Sequence, residues 1–294
     1  PVVSDLGRLD SGCASAQDQA TAVNASGQVA GQACVGTSRH AFTWSVASGM
    51  LDLGTLGGSY SIATAINGSG AVVGVAELAT GATRPFLSTP GTGMLGRGRL
   101  SGTGNDVHAA AVNDNLEVVG YSPIATGSRH AFYWHASRGM VDLGTLGGVA
   151  SQAFGINNRG QVVGAAVVTG EQSLHGFSWT ADDGMVDVGT LGGSTSYAVD
   201  VNDVGQVVGW AELPSGATHA FSWTRAGGMV DLGALGNSSY AAAVNEAGAV
   251  AGYASIPGTT NHHAFVWTRA SGMTDIGVLP GTSSSAATAI TTSG

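Results

Sequence analysis

The sequence predicts an all-β fold, a β-propeller of four-stranded antiparallel blades, on three observations. A unit of about 44 residues recurs along the whole chain, and a period of that length built of short strands is a blade rather than a linear solenoid unit. Each unit holds four short apolar segments, β-branched or aromatic, separated by Gly, Asn and Ser, which is the pattern of strands joined by tight turns. Helical 3.6-residue periodicity does not persist beyond a few residues.

Strand A of each unit reads Ala-x-x-Ile/Val-Asn and ends at Asn24, Asn67, Asn113, Asn157, Asn202 and Asn245. The step from Asn24 to Asn67 is 43 residues and that from Asn67 to Asn113 is 46, the extremes of the period. An Asn-x-x-Gly turn follows, as from Asn157 to Gly160, because Asn bonds its own backbone and Gly accepts positive φ. Strand B reads Val-Val-Gly, as at Val72–Gly74 and Val207–Gly209. Strand C reads His-Ala-Phe-x-Trp at His40–Trp44, His130–Trp134, His219–Trp223 and His263–Trp267, with Gly for Ala at His175–Trp179. Strand D reads Gly-Met-x-Asp-Leu-Gly around Asp52, Asp142, Asp187, Asp231 and Asp275, and takes all six methionines. Full repeats are predicted over 20–56, 57–100, 101–146, 147–191, 192–235 and 236–279, with partial ones over 1–19 and 280–294, all in one domain spanning 1–294.

The partial repeats suggest how a ring would close. Residues 2–7 read as a lone D strand and Ala287–Thr291 as the start of a seventh A strand. If the native chain runs about 30 residues further, seven blades close with the N-terminal strand completing the last, removing an open edge. If it ends at Gly294, six blades are expected. The chain opens Pro-Val-Val-Ser and reads as a mature or trimmed product.

Composition narrows function mainly by exclusion. All ten basic residues are Arg, against nineteen acids and a net charge of −9, which argues against nucleic acid and against docking on an anionic membrane. No apolar run is long enough to span a bilayer, so membrane insertion is not expected. There is no phosphate loop, no His-Glu-x-x-His, no Gly-x-Ser-x-Gly, no Cys-x-x-Cys and no Ca²⁺ loop, so no cofactor or metal is predicted.

The repeated His-Ala-Phe segments, each followed by Gly-Met-x-Asp-Leu-Gly, resemble the bacterial extracellular HAF-repeat family, and the resemblance covers essentially the whole chain. It implies export to the cell surface or beyond, and it brings no catalytic residues with it.

The repeated residues read as structural. One histidine per blade would lie too far from the next to share a metal ion. In the second repeat His, Trp and Asp are lost together, as Arg84, Ser88 and Gly96. That joint loss predicts a linked unit in each blade: a buried His–Asp hydrogen bond against an indole, with the Met of strand D and the Trp of strand C in the core.

Binding is expected where the repeat breaks. The D–A loop before repeat one (Arg8–Ala20) and the one before repeat three (Arg97–His108) are longer than the middle ones. They supply Asp10, Asp18, Arg99, Asp106 and His108; Glu77 and Glu212 in B–C loops of the same face, and Glu117 on strand B, are further candidates. Cys13, in the first loop, and Cys34, at the start of the first B–C loop, fall on one face of one blade and predict a disulfide worth about 3 kcal/mol, of the kind kept in oxidising compartments. The expected function is a secreted or cell-surface binding module without catalytic activity, recognising a protein, a glycan or copies of itself. The alternative is an extracellular polysaccharide lyase or hydrolase, for which Asp18, Asp106 and His108 would have to converge within about 6–9 Å.

Overall fold

The computed structural model describes residues 5–13, 18–170 and 172–291. The chain divides into two compact units, Pro1–Asp142 and Leu143–Gly294. The first holds three sheets: β1 Gln19–Val23, β2 Val29–Val35, β3 Ser38–Ser45 and β4 Gly49–Asp52; β5 Gly57–Ile66, β6 Val72–Leu78, β7 Thr83–Thr89 and β8 Gly93–Gly96; β9 His108–Val112, β10 Val118–Pro123, β11 Arg129–His135 and β12 Gly139–Asp142. The second holds three more: β13 Gly147–Ile156, β14 Val162–Val168, β15 Leu174–Thr180 and β16 Gly184–Gly189; β17 Ser196–Val201, β18 Val207–Glu212, β19 Thr218–Thr224 and β20 Gly228–Asp231; β21 Ser239–Val244, β22 Val250–Ser255, β23 His262–Thr268 and β24 Gly272–Gly277. Each sheet is an antiparallel meander in A-B-C-D order, and one parallel bridge, Arg39–Tyr60, joins the first two.

The expected Asn-x-x-Gly turns form. Asn67 Oδ1 accepts the amides of Ser69 (3.1 Å) and Ala71 (2.8 Å), and the glycines at 27, 70, 160, 205 and 248 have φ between 74° and 85°. The third repeat puts Leu116 at that glycine position, with φ 61°.

The innermost packing rests on a residue whose part the motif understates. The phenylalanines Phe42, Phe86, Phe132, Phe177, Phe221 and Phe265 are all at most 1% exposed. Phe86 stays in the second repeat although His, Trp and Asp around it are gone, so the phenylalanine is the constant of the core. Every strand A carries a β-bulge, for instance between Ala198 and Asp200. The bulge turns an A-strand carbonyl toward the Val-Val-Gly glycine, where any Cβ would overlap it: Gly209 faces the oxygen of Tyr197 and Gly164 that of Gln152, with the Phe177 ring beside it. Glycine is therefore required at that position by close approach of the backbone.

Neighbouring sheets within each unit are tied by buried or half-buried polar side chains. Asn24 and Asn67 donate through Nδ2 to the carbonyls of Asn67 and Asn113, each at 2.9 Å. Asn157 and Asn202 donate to the carbonyls of Asn202 and Asn245 at 2.8 and 2.9 Å. A serine six residues before the asparagine makes a second tie. Ser196 Oγ accepts the amide of Gly176 (2.9 Å) and donates to the carbonyl of Gly189 (2.6 Å), and Ser61 and Ser239 repeat the arrangement. Strand A of one sheet thus packs on strands B and C of the sheet before it.

At the ends the expectations need revision. The D strand expected over 2–7 lies partly outside the described residues, and residues 5–7 form no strand. Residues 287–291 pair into no strand either. They nevertheless begin a further repeat in hydrogen bonding: Ser285 Oγ accepts Ala264 N (2.9 Å) and donates to Gly277 O (2.6 Å), and Asn245 donates to Thr291 O at 3.0 Å.

Candidate functional site

The repeated histidines sit on the surface. In all five complete copies the His Nδ1 meets the Asp carboxylate twelve residues on, at 2.8 or 2.9 Å: His40–Asp52, His130–Asp142, His175–Asp187, His219–Asp231 and His263–Asp275. The His–Asp link is present, but it is not buried: the histidines are 17–21% exposed and the aspartates 37–42%. Nor can the indole of the same blade cover it, because four residues along a strand is about 13 Å. The tryptophan pairs instead with the Met of strand D, as Trp44 with Met50 and Trp223 with Met229. Trp134 and Trp223 are buried, at 8% and 7% exposure, whereas Trp44, Trp179 and Trp267 are half-buried.

Several sequence candidates fasten loops. The residue three after the B-strand glycine holds the chain at the entry to strand A. Glu77 accepts from Ser59 N and Oγ (both 2.6 Å), and Glu212 from Ser194 N (3.1 Å) and Oγ (2.7 Å). These serine bonds hold both carboxylates below their ordinary range. Both glutamates lie in strands, β6 and β18, rather than in B–C loops. In the first sheet the same position is Cys34, within β2, and its tie is the expected disulfide to Cys13. Asp18 supports this loop by accepting Cys34 N (2.9 Å) and lies 3.9 Å from Arg8. Asp10 accepts the amides of Gly36 (2.9 Å) and Gly12 (2.8 Å), which lower its pKa in that order. Residues 14–17 of this loop lie outside the described residues. Glu117 precedes β10 and takes the place of Gln28, Gln161 and Gln206 beside the turn asparagine, bonding Asn113 and the Tyr133 hydroxyl. Burial, then Glu117, pushes Tyr133 up to about 12.

The long loop before β9 behaves differently. It folds over the end of its own sheet, where Leu100 N donates to the buried Ser122 hydroxyl (2.9 Å) and Gly102 N to Pro123 O (3.0 Å). It also reaches back to the second sheet: Asn105 O accepts from Thr83 Oγ1 at 2.8 Å. Arg99 braces it from inside by donating to the carbonyls of Thr103 (3.0 Å) and Gly104 (3.2 Å). Between this loop and the β10–β11 turn lies a cavity of about 290 Å³, lined by Thr103, Asn105, Asp106, Pro123, Ser128 and Arg129 among others.

Asp106 and Arg129 pair at 3.2 Å on its rim, 58% and 41% exposed. The Arg129 guanidinium stands 5.0 Å over the Tyr121 ring, and His108 stacks on the same ring at 5.5 Å. Burial lowers the His108 pKa, with Asp106 opposing; burial and then Asp106 raise Tyr121. Of the candidates, Asp106 lines this cavity, Arg99 braces the carbonyls of its lining residues Thr103 and Gly104, and His108 stacks on Tyr121 under Arg129, while Asp18 is engaged with the first sheet. Tyr121, Asn105 and Arg129 were not singled out from the sequence. Tyr121 had a signal: the residue after the B-strand glycine is aromatic at 121, 210 and 253 alone.

In the second unit that signal opens a row of rings in sequential contact: Phe154, Tyr197, Trp210, Tyr240, Tyr253 and His262, with centroids 4.3 to 6.2 Å apart. Packed face to face or edge to face, these rings serve as cross-strand and inter-sheet packing. Among the described residues no group of three or more His, Cys, Asp or Glu could hold a metal ion, and no helix is long and apolar enough to cross a membrane.

No family model matches the chain, and no curated protein sequence does. Solved structures do match in fold. TolB from Acinetobacter baumannii aligns over 82% of this chain at 9% identity with a TM-score of 0.51, and the chain spans only 61% of that protein. The β-propeller domain of the Trilobed protease from Pyrococcus furiosus aligns over 88% of this chain and 83% of its own length, at 11% identity and a TM-score of 0.56. At such identities the likeness is one of fold, and the fold is a β-propeller of four-stranded antiparallel blades.

Proposed function

We propose that the protein is an exported, non-catalytic binding propeller of the HAF-repeat kind, and that the cavity under the loop before β9 holds a glycan. The observation that carries this reading is the Asp106–Arg129 pair on the rim of a small polar cavity. A carboxylate accepts and a guanidinium donates in fixed planar geometry, so the two together match the neighbouring hydroxyls of a sugar ring. The hydroxyl and amide side chains of Thr103, Asn105 and Ser128 suit the same ligand, and the volume suits one or two sugar units. The Cys13–Cys34 disulfide supports an oxidising, extracellular setting.

The hydrolase or lyase reading has less support. Asp106 is neutralised by Arg129, and Asp18 is occupied by the Cys34 amide and Arg8. A two-carboxylate mechanism needs both acids facing one bond.

The test is a glycan-array screen of the wild-type protein, followed by calorimetric titration of the best glycan against Arg129→Gln and Asp106→Asn. The expected result is a glycan bound by the wild type and bound about tenfold or more weakly by each variant, the cost of removing one charge-assisted contact. Equal binding by variants and wild type, or no glycan bound above background, would refute it.

A further inference from the structure

We propose that Arg84 and Arg99 form a site for a single anionic group, carboxylate or sulfate ester, so that the ligand of the neighbouring cavity is an acidic glycan; this rests on the glycan reading above. The argument begins in the second repeat. In five repeats the first residue of the His-Ala-Phe segment carries its own counter-ion, the strand-D aspartate. In the second the histidine becomes a permanently charged arginine, Arg84, and the aspartate becomes Gly96. The repeat places a fixed positive charge at this position and discards the acid that would face it.

A second arginine is then brought beside the first. The loop carrying Arg99 is tied to Thr83 through Asn105, by Thr83 N to Oδ1 (3.3 Å) and Thr83 Oγ1 to O (2.8 Å). Arg84 donates to the Thr83 carbonyl at 2.7 Å, and Arg99 to the carbonyls of Thr103 and Gly104, the residues just before Asn105. The two guanidiniums thus bond carbonyls on the two sides of the Thr83–Asn105 tie, one on the strand and one on the loop. Neither forms an ion pair among the described residues. Burial lowers the Arg84 pKa and the Arg99 charge lowers it further, a repulsion that an anion between them would offset.

The surrounding charges agree with that sign. Asp106 is matched by Arg129. Glu77, opposite Thr83 in the β6–β7 ladder, is held by Ser59. Arg97 lies with its guanidinium 4.2 Å over the Trp134 ring. The neighbourhood is thus cationic in a chain whose net charge is −9. Because the Arg99-braced carbonyls belong to cavity-lining residues, an anion on Arg84 and Arg99 and a sugar on Asp106 and Arg129 can belong to one molecule.

The experiment compares three probes by calorimetry: an oligogalacturonate, the neutral galactose oligosaccharide of equal length, and sodium sulfate. The wild type is expected to prefer the acidic over the neutral oligosaccharide by about tenfold or more, with the preference eroding as salt rises. In Arg84→Gln the preference should fall to about one. Gly96→Asp offers an independent variant, because it restores the missing counter-ion while Arg84 stays. An added Cβ at residue 96 meets only the flexible end of Leu56, and the preference should again be lost with the melting temperature kept. If no oligosaccharide binds but sulfate does, and Arg84→Gln abolishes it, the anion site stands and the glycan reading fails. If Arg84→Gln and Gly96→Asp bind the oligogalacturonate and sulfate as the wild type does, or if the wild type binds neither, the anion site is overturned.

Discussion

Replacing Ser196 by alanine isolates the ties between blades. Its hydroxyl is fully buried, accepts the Gly176 amide from the preceding sheet at 2.9 Å and donates to the Gly189 carbonyl at 2.6 Å. The substitution removes both bonds, each worth about 0.5–1.5 kcal/mol net. Gly176 is itself buried, so its N–H is left without water, which raises the cost of its bond to about 1–3 kcal/mol. Gly189 is only half-buried and water can reach its carbonyl. The sum is about 3 kcal/mol, or roughly 5 °C in melting temperature for a chain of this size. Urea unfolding followed by circular dichroism reads it directly. Ser194→Ala, two residues away, removes only exposed hydroxyl contacts, to Glu212 (2.7 Å) and Thr195 (3.4 Å), and should cost less than about 1 kcal/mol. A Ser196→Ala loss under about 1 kcal/mol, or one equal to that of Ser194→Ala, would refute the reasoning.

Three further outcomes are expected. His219→Gln should cost under about 1 kcal/mol in urea unfolding, as an exposed pair does, while Phe221→Ala costs about 3–5 kcal/mol; comparable losses would mean that the His–Asp pair is core after all. Cys34→Ser should lower stability by about 3 kcal/mol for the 21-residue separation it unlinks, and non-reducing peptide mapping of the wild type should find Cys13 joined to Cys34. In an ultraviolet titration Tyr133 should ionise near its pKa of about 12, and Tyr133→Phe should delete that component. Because the folded-state value is raised, this tyrosine's stabilisation is full below the ordinary phenol pKa of about 10 and is lost as pH rises toward 12; a phenol titrating near 10 in its place would contradict the burial of Tyr133 against Glu117.

The fold was legible because the repeat exposes it. Strand order, the Asn-x-x-Gly turns and the disulfide can all be read from spacing. What escaped depends on backbone geometry that spacing does not carry. The bulge in every strand A explains the B-strand glycine, and Ser196 and its counterparts look like ordinary polar residues until the preceding sheet is laid beside them. The His–Asp pairing was inferable from joint loss in the second repeat, but its exposure was not, since both faces of a strand carry recurring residues. At the site, choosing the irregular loop before β9 led to Arg99, Asp106 and His108. Arg129 was missed because it lies next to a repeated histidine, and Glu77 and Glu212 were over-read because an exposed acid looks the same whether it binds a ligand or a serine in its own chain.

The central claim is that the repeats are scaffold and that the loop before β9 binds. The most direct measurement is an amide chemical-shift map of the isotope-labelled protein, titrated with the best glycan from the array. The account predicts saturable shifts confined to residues 99–108, 121–129 and the neighbourhood of Arg84. Shifts centred on the repeated His–Asp pairs, or on the aromatic row from Phe154 to His262, would contradict it.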